Sequence, residues 1–180
     1  MPTAHSVVVV AAPHSLGAFY PPDIRMWTRN KKQTSRLLDQ TAEMISRFLK
    51  REGFLSLPVS ADKAAESHKL DPATGKRPPH ARTVGHRSLK RAAVTAGMGQ
   101  TGRSNLLLTP DFGPHQRLGG MITEARLEPD PPHRWELCIP GCTACEDACP
   151  VGTPRGNRYD ENPCFGAVAK LFLFTMNMIR

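Results

Sequence analysis

Four cysteines, Cys138, Cys142, Cys145 and Cys149, fall within the run CIPGCTACEDACP and end on Cys149-Pro150. So short a stretch has no room for a strand or a long helix between its thiols. It must turn as a loop that presents them toward one another. The spacing is one residue away from the Cys-x2-Cys-x2-Cys-x3-Cys-Pro run that wraps a 4Fe–4S cluster, where each iron needs a thiolate and the loop amides point at the sulfurs. The departure is the first gap, which holds Ile139, Pro140 and Gly141 where two residues are usual. A structural zinc site also favours four cysteines, but as two separated Cys-x2-Cys knuckles. Disulfides are disfavoured, because five cysteines is an odd number and nothing marks the chain as secreted. The run therefore points to electron transfer or reduction, with zinc and unligated thiols as the alternatives.

A length of 180 residues suits one domain with a core and a small appendage. Seventeen prolines against two tryptophans and two tyrosines imply much loop around a modest core. The net charge of +8 is unevenly spread: residues 1–120 carry 18 Lys and Arg against 8 Asp and Glu, and residues 121–180 carry 6 against 8. A basic half of this kind steers anions, whether nucleic acid, an anionic cofactor or an acidic protein partner, or is simply a solvated surface. The apolar run Val7–Ala12 has no basic segment before it, and no twin-arginine leader is visible. The apolar stretch Cys164–Ile179 is interrupted by Lys170 and is too short to span a bilayer, so it reads as a buried helix with no membrane span. The expected location is the cytoplasm.

Ser6–Ala12 (SVVVVAA) is β-branched and apolar throughout, which predicts a strand buried on both faces. Leu37, Leu38, Met44, Ile45, Phe48 and Leu49 predict one face of a helix over Lys32–Glu52, stopped by Gly53 and followed by a short strand, Phe54–Val59. Ser60–Arg82 is polar and proline-rich and predicts a long loop. A second helix is expected over His86–Ala96, then two strands, Leu106–Thr109 and Leu118–Ala125, joined by the turn PDFGPHQR. Gly97-Met98-Gly99-Gln100-Thr101-Gly102 has the letters of the dinucleotide fingerprint G-x-G-x-x-G. That fingerprint needs a strand before it and a helix after it, and here the order is inverted. The glycines instead predict a turn whose backbone approaches something closely. His14, His68, His80, His115 and His133 have no partner at a metal-ligand spacing and read as ordinary polar residues.

Ala96-Gly97-Met98-Gly99, Gly102-Arg103, Leu106–Pro110, Phe112-Gly113-Pro114, Ile122-Thr123, Leu127-Glu128-Pro129-Asp130 and then Cys142-x2-Cys145-x3-Cys149-Pro150 follow one another in an order that resembles the cobalamin-dependent iron–sulfur reductases. These include epoxyqueuosine reductase and the reductive dehalogenases. The resemblance covers about residues 86–152, and Ser6–Pro13 looks like the family's first core strand. It implies an α+β fold: a nitroreductase-like α/β core over residues 1–130, which binds cobalamin, and a partial ferredoxin-like segment over residues 131–180.

By the same resemblance Gly97, Gly99 and Gly102 would line the corrin, and electrons would come from an external donor such as a ferredoxin or flavodoxin. Cys138, Cys142 and Cys145 would hold one cluster, while Cys149 and Cys164 would serve the family's second cluster. The second cysteine motif is missing here, so one 4Fe–4S cluster is expected, with Cys149 or Cys164 as the fourth ligand. The family's acidic proton donor falls on Thr83, whose hydroxyl is too weakly acidic to serve. His86 is the nearby group that titrates in the useful range. The helical region before the first strand and the family's tRNA-contacting repeats are also missing, which predicts a short, truncated or degenerate member and weakens the case for nucleic acid. Two other functions stay open: a non-catalytic electron carrier, and a structural zinc protein with a basic face. The residues do not give the substrate or the oligomeric state.

Overall fold

The computed structural model describes residues 1–20, 24–61 and 84–155, with the backbone alone for residues 24 and 84–88. Its order is β1 (Ser6–Pro13), a 3-10 turn (Leu16–Ala18), α1 (Ile24–Arg51), β2 (Ser56–Val59), α2 (Val84–Thr95), β3 (Gln100–Thr101), β4 (Leu107–Leu108), β5 (Gln116–Thr123) and α3 (Ala144–Asp147). The fold is a mixed α/β one. A three-stranded sheet has the order β1-β5-β2, with β5 antiparallel to both neighbours. β3 and β4 form a separate antiparallel pair.

The last of the described strands in sequence is thus the middle one in space. Ser6 and Ser56 both lie opposite Thr123, which is fully buried. Its hydroxyl donates to the Leu55 carbonyl (3.1 Å) and accepts from Ser56 Oγ (2.9 Å) and the Ala125 amide (3.2 Å). All of this oxygen's polar capacity is therefore met without water.

Adjacent glycines let β5 be covered on both sides. A Cβ at Gly119 would stand 2.9 Å from Leu38 Cβ of α1, and one at Gly120 would stand 3.2 Å from Leu89 Cδ2 of α2 and 2.5 Å from the Val8 carbonyl oxygen. Successive strand residues point to opposite faces, so α1 lies on one face and α2 on the other. On the α1 side Leu38, Ala42 and Leu49 are buried with Ala12, Ala61, Met121 and Ala125, and Val8, Val10 and Ile45 pack against them.

Both helices end in the same way. Gly53 has φ +90°, with its amide on the Lys50 carbonyl and the Phe54 amide on Leu49. Gly97 has φ +77°, with its amide on Val94 and the Met98 amide on Ala93. These are Schellman caps, which need the left-handed conformation that glycine adopts without penalty.

Several expectations are corrected. β1 is not buried on both faces, since Val7 is half exposed and Val9 and Ala11 are half-buried beneath the shorter α2. α1 begins at Ile24, before the expected Lys32, and its apolar positions divide into two stripes. Leu38, Ile45 and Leu49 face the sheet, while Leu37, Met44 and Phe48 are exposed. The two strands expected on either side of the turn PDFGPHQR are present as β4 and β5, and they belong to different sheets, β4 pairing with β3 and β5 with β1 and β2. Between them the Gln116 side chain stands in for strand pairing, donating to Leu107 and Gly113 carbonyls and accepting from Thr109 Oγ1 (2.8 Å). The expected loop over Ser60–Arg82 and helix over Cys164–Ile179 lie largely or wholly outside the described residues.

Pro58 occupies the edge strand β2, opposite Met121. The Glu124 amide bonds the Leu55 carbonyl, so by alternation Pro58 falls at a non-hydrogen-bonded pair and its nitrogen faces away from β5.

His14, just past β1, is held by a contact of Nδ1 with Asn30 Oδ1 (3.1 Å) and by the rings of Phe19 (5.9 Å) and Trp27 (6.3 Å). Burial lowers its pKa from 6.5, with Arg117, His115 and Lys31 acting in the same direction and the Asn30 bond opposing them. The unfolded chain therefore takes up the proton first as pH falls below 6.5. This contribution to stability is present above that pH and lost below it. The melting temperature of the wild type is expected to fall as pH drops below 6.5 by more than that of His14→Gln. Gly120→Ala is expected to lower the unfolding free energy by about 1–3 kcal/mol in denaturant titrations, because the added methyl meets backbone rather than a movable side chain.

Candidate metal centre and its seat

From Leu137 to Gly152 the chain is a sequence of tight turns. The Cys142 amide bonds the Ile139 carbonyl (3.1 Å) across Pro140 and Gly141, and Gly141 has φ +75°. Proline at the second turn position and a left-handed glycine at the third are the marks of a type II turn. The extra residue between Cys138 and Cys142 is absorbed in this turn. The Glu146 and Asp147 amides then bond the Thr143 carbonyl, opening the single-turn helix α3, and Thr143 Oγ1 donates to Asp147 Oδ2 (2.8 Å). Two further turns, Cys149 amide to Glu146 and Gly152 amide to Cys149, complete the loop.

All four thiols of this loop are half-buried and none is in a disulfide. Cys149 differs from the rest, because its Sγ donates to the carbonyl of the buried Thr153 (2.6 Å). Among the described residues no three His, Cys, Asp or Glu side chains converge closely enough to ligate one metal ion. A four-iron cluster asks for something different, with one thiolate at each of four separate corners. An all-thiol donor set on one half-buried loop fits that group. Cys164 and the His86 side chain lie outside the described residues.

The loop is seated on the glycine turn. A Cβ at Gly97 would lie 2.0 Å from the Pro131 carbonyl oxygen, so the linker into the cysteines rests directly on this residue. The Gln100 amide, oriented with its oxygen toward the loop, accepts from the backbone N–H groups of Leu137 (2.7 Å) and Cys138 (3.0 Å). Arg103 Nε donates to Glu146 Oε1 (2.9 Å), an ion pair that is partly shielded from solvent and joins the segment after β3 to α3. Cys138 borders a cleft of about 390 Å³ that also takes in Arg103, His133 and Trp135. The His133 ring packs against Trp135 at 5.6 Å, and its Nε2 is buried without a hydrogen-bond partner among the described residues.

The three glycines assigned to the corrin have their α-carbon faces filled by the chain itself. Beyond Pro131 at Gly97, a Cβ at Gly99 would lie 1.9 Å from the Leu108 carbonyl oxygen, and one at Gly102 would lie 2.6 Å from Leu108 Cδ1. The close approach expected of this turn is real, but it is to β4 and the linker. In the Cβ direction these three positions face the chain itself. Gln100, Glu146 and His133 are site residues that sequence reasoning missed. The motif reading treated Gln100 as a spacer between glycines, and its partners lie nearly forty positions downstream.

Fold and loop together define a mixed α/β protein with a thiol-rich loop docked on a glycine turn. No family model matches the chain. It is 44% identical over 62 residues to the tetrachloroethene reductive dehalogenase of Desulfitobacterium hafniense, a stretch that is 33% of this chain and 11% of that one. It is 37% identical over 82 residues to the epoxyqueuosine reductase of Bacillus cereus, covering 45% of this chain and 21% of the other. With the Listeria monocytogenes epoxyqueuosine reductase it is 44% identical over 64 residues, which are 36% and 16% of the two chains. Over these stretches the chain is a relative of both groups, as its motifs predict. The matched stretch is about a fifth or less of these relatives' length.

A crystal structure of selenomethionine-labelled epoxyqueuosine reductase superposes with a TM-score of 0.56 at 21% identity, over 84% of this chain and 37% of that one. The Bacillus subtilis enzyme gives 0.55 at 21% identity, over 84% and 36%. At that identity the likeness is one of fold. No helix among the described residues is long and apolar enough to cross a membrane.

Removing the Arg103 guanidinium should loosen the loop without touching the sheet. In Arg103→Ala, amide exchange over residues 142–152 is expected to quicken about fivefold, the equivalent of about 1 kcal/mol for a partly shielded ion pair. Exchange in β5 should stay unchanged.

Proposed function

We propose that this chain is an iron–sulfur oxidoreductase of the epoxyqueuosine reductase and reductive dehalogenase type, acting on a substrate its residues do not identify. The observation that carries it is the all-thiol loop, seated by Gly97, Gln100 and Arg103 within a fold like that of epoxyqueuosine reductase. Cys138, Cys142 and Cys145 are the proposed ligands of one 4Fe–4S cluster. Cys149 or Cys164 supplies the fourth. Cys149 would have to release its bond to the Thr153 carbonyl in doing so. When bound, the cluster supplies one-electron transfer, and cobalamin, a cofactor carried here by the resemblance alone, would supply the reduction of the substrate.

The remaining chemistry belongs to the loop. Its turns hold the thiols half out of water, where a thiolate is stabilised by metal and amide rather than by solvent. Arg103 pairs with Glu146, so these two charges offset each other beside the loop. His86 is proposed as the proton donor. The external electron donor is proposed to be a ferredoxin or flavodoxin, whose acidic surface suits the basic half of the chain.

One observation favours a second reading, an electron carrier without cobalamin. The glycines assigned to the corrin are packed against Pro131 and Leu108. The two readings separate in one experiment. After anaerobic reconstitution the chain is expected to hold about four irons, the content of one cubane cluster, and Cys138→Ala, Cys142→Ala and Cys145→Ala are each expected to lose most of them. A saturable optical change on titration with cob(II)alamin supports the reductase. Iron without that change leaves the carrier, and zinc without iron overturns both.

A further inference from the structure

Gln100 sits in β3 between Gly99, which is pressed against the Leu108 carbonyl, and Thr101, which pairs with Leu107. Its backbone is thus fixed by strand pairing, and the side chain is delivered to one place. There a single amide oxygen takes two consecutive backbone donors, the N–H groups of Leu137 at 2.7 Å and Cys138 at 3.0 Å. Cys138 is the first thiol of the loop, and these two amides are its own and that of the residue before it.

Amide donors near a cluster have a definite electrical effect. Reduction adds negative charge to the sulfurs, and an N–H dipole aimed at a sulfur stabilises that charge and raises the reduction potential. An N–H already committed to a carbonyl oxygen does not. We propose that Gln100 is a positioning residue that withdraws the Leu137 and Cys138 amides from the cluster, holding its potential low so that the reduced centre is a strong electron donor. The inference rests on the cluster reading above. It assigns Gln100 no contact with substrate or cofactor.

The test uses the full chain with Gln100→Leu, which removes the acceptor, and Gln100→Glu, which keeps one. The first readout needs no iron. Hydrogen exchange at the Leu137 and Cys138 amides is expected to quicken about tenfold in Gln100→Leu, as for loss of one intramolecular hydrogen bond, and to stay slow in Gln100→Glu. The second readout is the midpoint potential of the anaerobically reconstituted cluster, followed optically. It should shift positive in Gln100→Leu and lie at or below the wild-type value in Gln100→Glu.

Unchanged amide exchange in Gln100→Leu would overturn the proposed hydrogen bonds. Faster exchange with an unchanged or more negative potential would overturn the electrical role while leaving the cluster reading intact. A wild type that takes up no iron would overturn the cluster reading itself, and the potential claim with it. Should Gln100→Leu fail to fold, judged by circular dichroism, Gln100→Glu still decides: fast exchange or a raised potential there contradicts the proposal.

Discussion

The architecture turns on two consecutive glycines at the middle of the central strand. Gly119 admits Leu38 from one side and Gly120 admits Leu89 from the other, so two helices reach the same point of one thin sheet. Removing two β-carbons costs β-propensity and burial at those positions. The structure recovers it as close packing, with Leu38, Leu89 and Met121 buried to within a few percent. Because β5 is held on both edges and both faces, it is the rigid reference from which the rest is hung. The Schellman cap on α2 then fixes where the chain leaves that reference, at Gly97.

From Gly97 onward the molecule is organised by contacts between two short irregular segments. The turn of residues 97–103 meets the linker and the cysteine loop at Gly97, Gln100 and Arg103, by close backbone approach, by paired amide bonds and by an ion pair. These three contacts differ in kind and are spaced three residues apart. Together they specify position and rotation, where any one alone would leave a hinge. A loop built of tight turns gains from this, because a one-turn helix such as α3 has little stability of its own.

Much of this was legible in the sequence. Gly53 reads as a helix stop and is one, the apolar run at Ser6 is a strand, and the thiol run with its neighbouring motifs points to the relatives that the comparisons found. What escaped shares a physical cause: it depends on partners that local pattern does not specify. Leu107–Leu108 and Gln116–Thr123 are strands joined by a turn, yet pairing is decided elsewhere, and the sequence does not say that β5 must enter between β1 and β2. The glycines of residues 97–102 announce a close approach without naming the neighbour. The apolar positions of α1 fit one broad face, and packing on the described strands divides buried Leu38 from exposed Leu37. The extra residue before Cys142, by contrast, was open to reading, since Pro140-Gly141 is the pair a type II turn prefers.

Pro58 gives the sheet a finite width for a covalent reason. With its nitrogen turned outward and carrying no hydrogen, β2 offers no donor at Pro58 on the side away from β5, so a ladder on that side would be interrupted there. The opposite border has no proline until Pro13, at the end of β1. Among the described strands, β1 is therefore the border on which an added ladder would meet no missing donor before Pro13. Growth of the sheet has a polarity written into it by one imino acid.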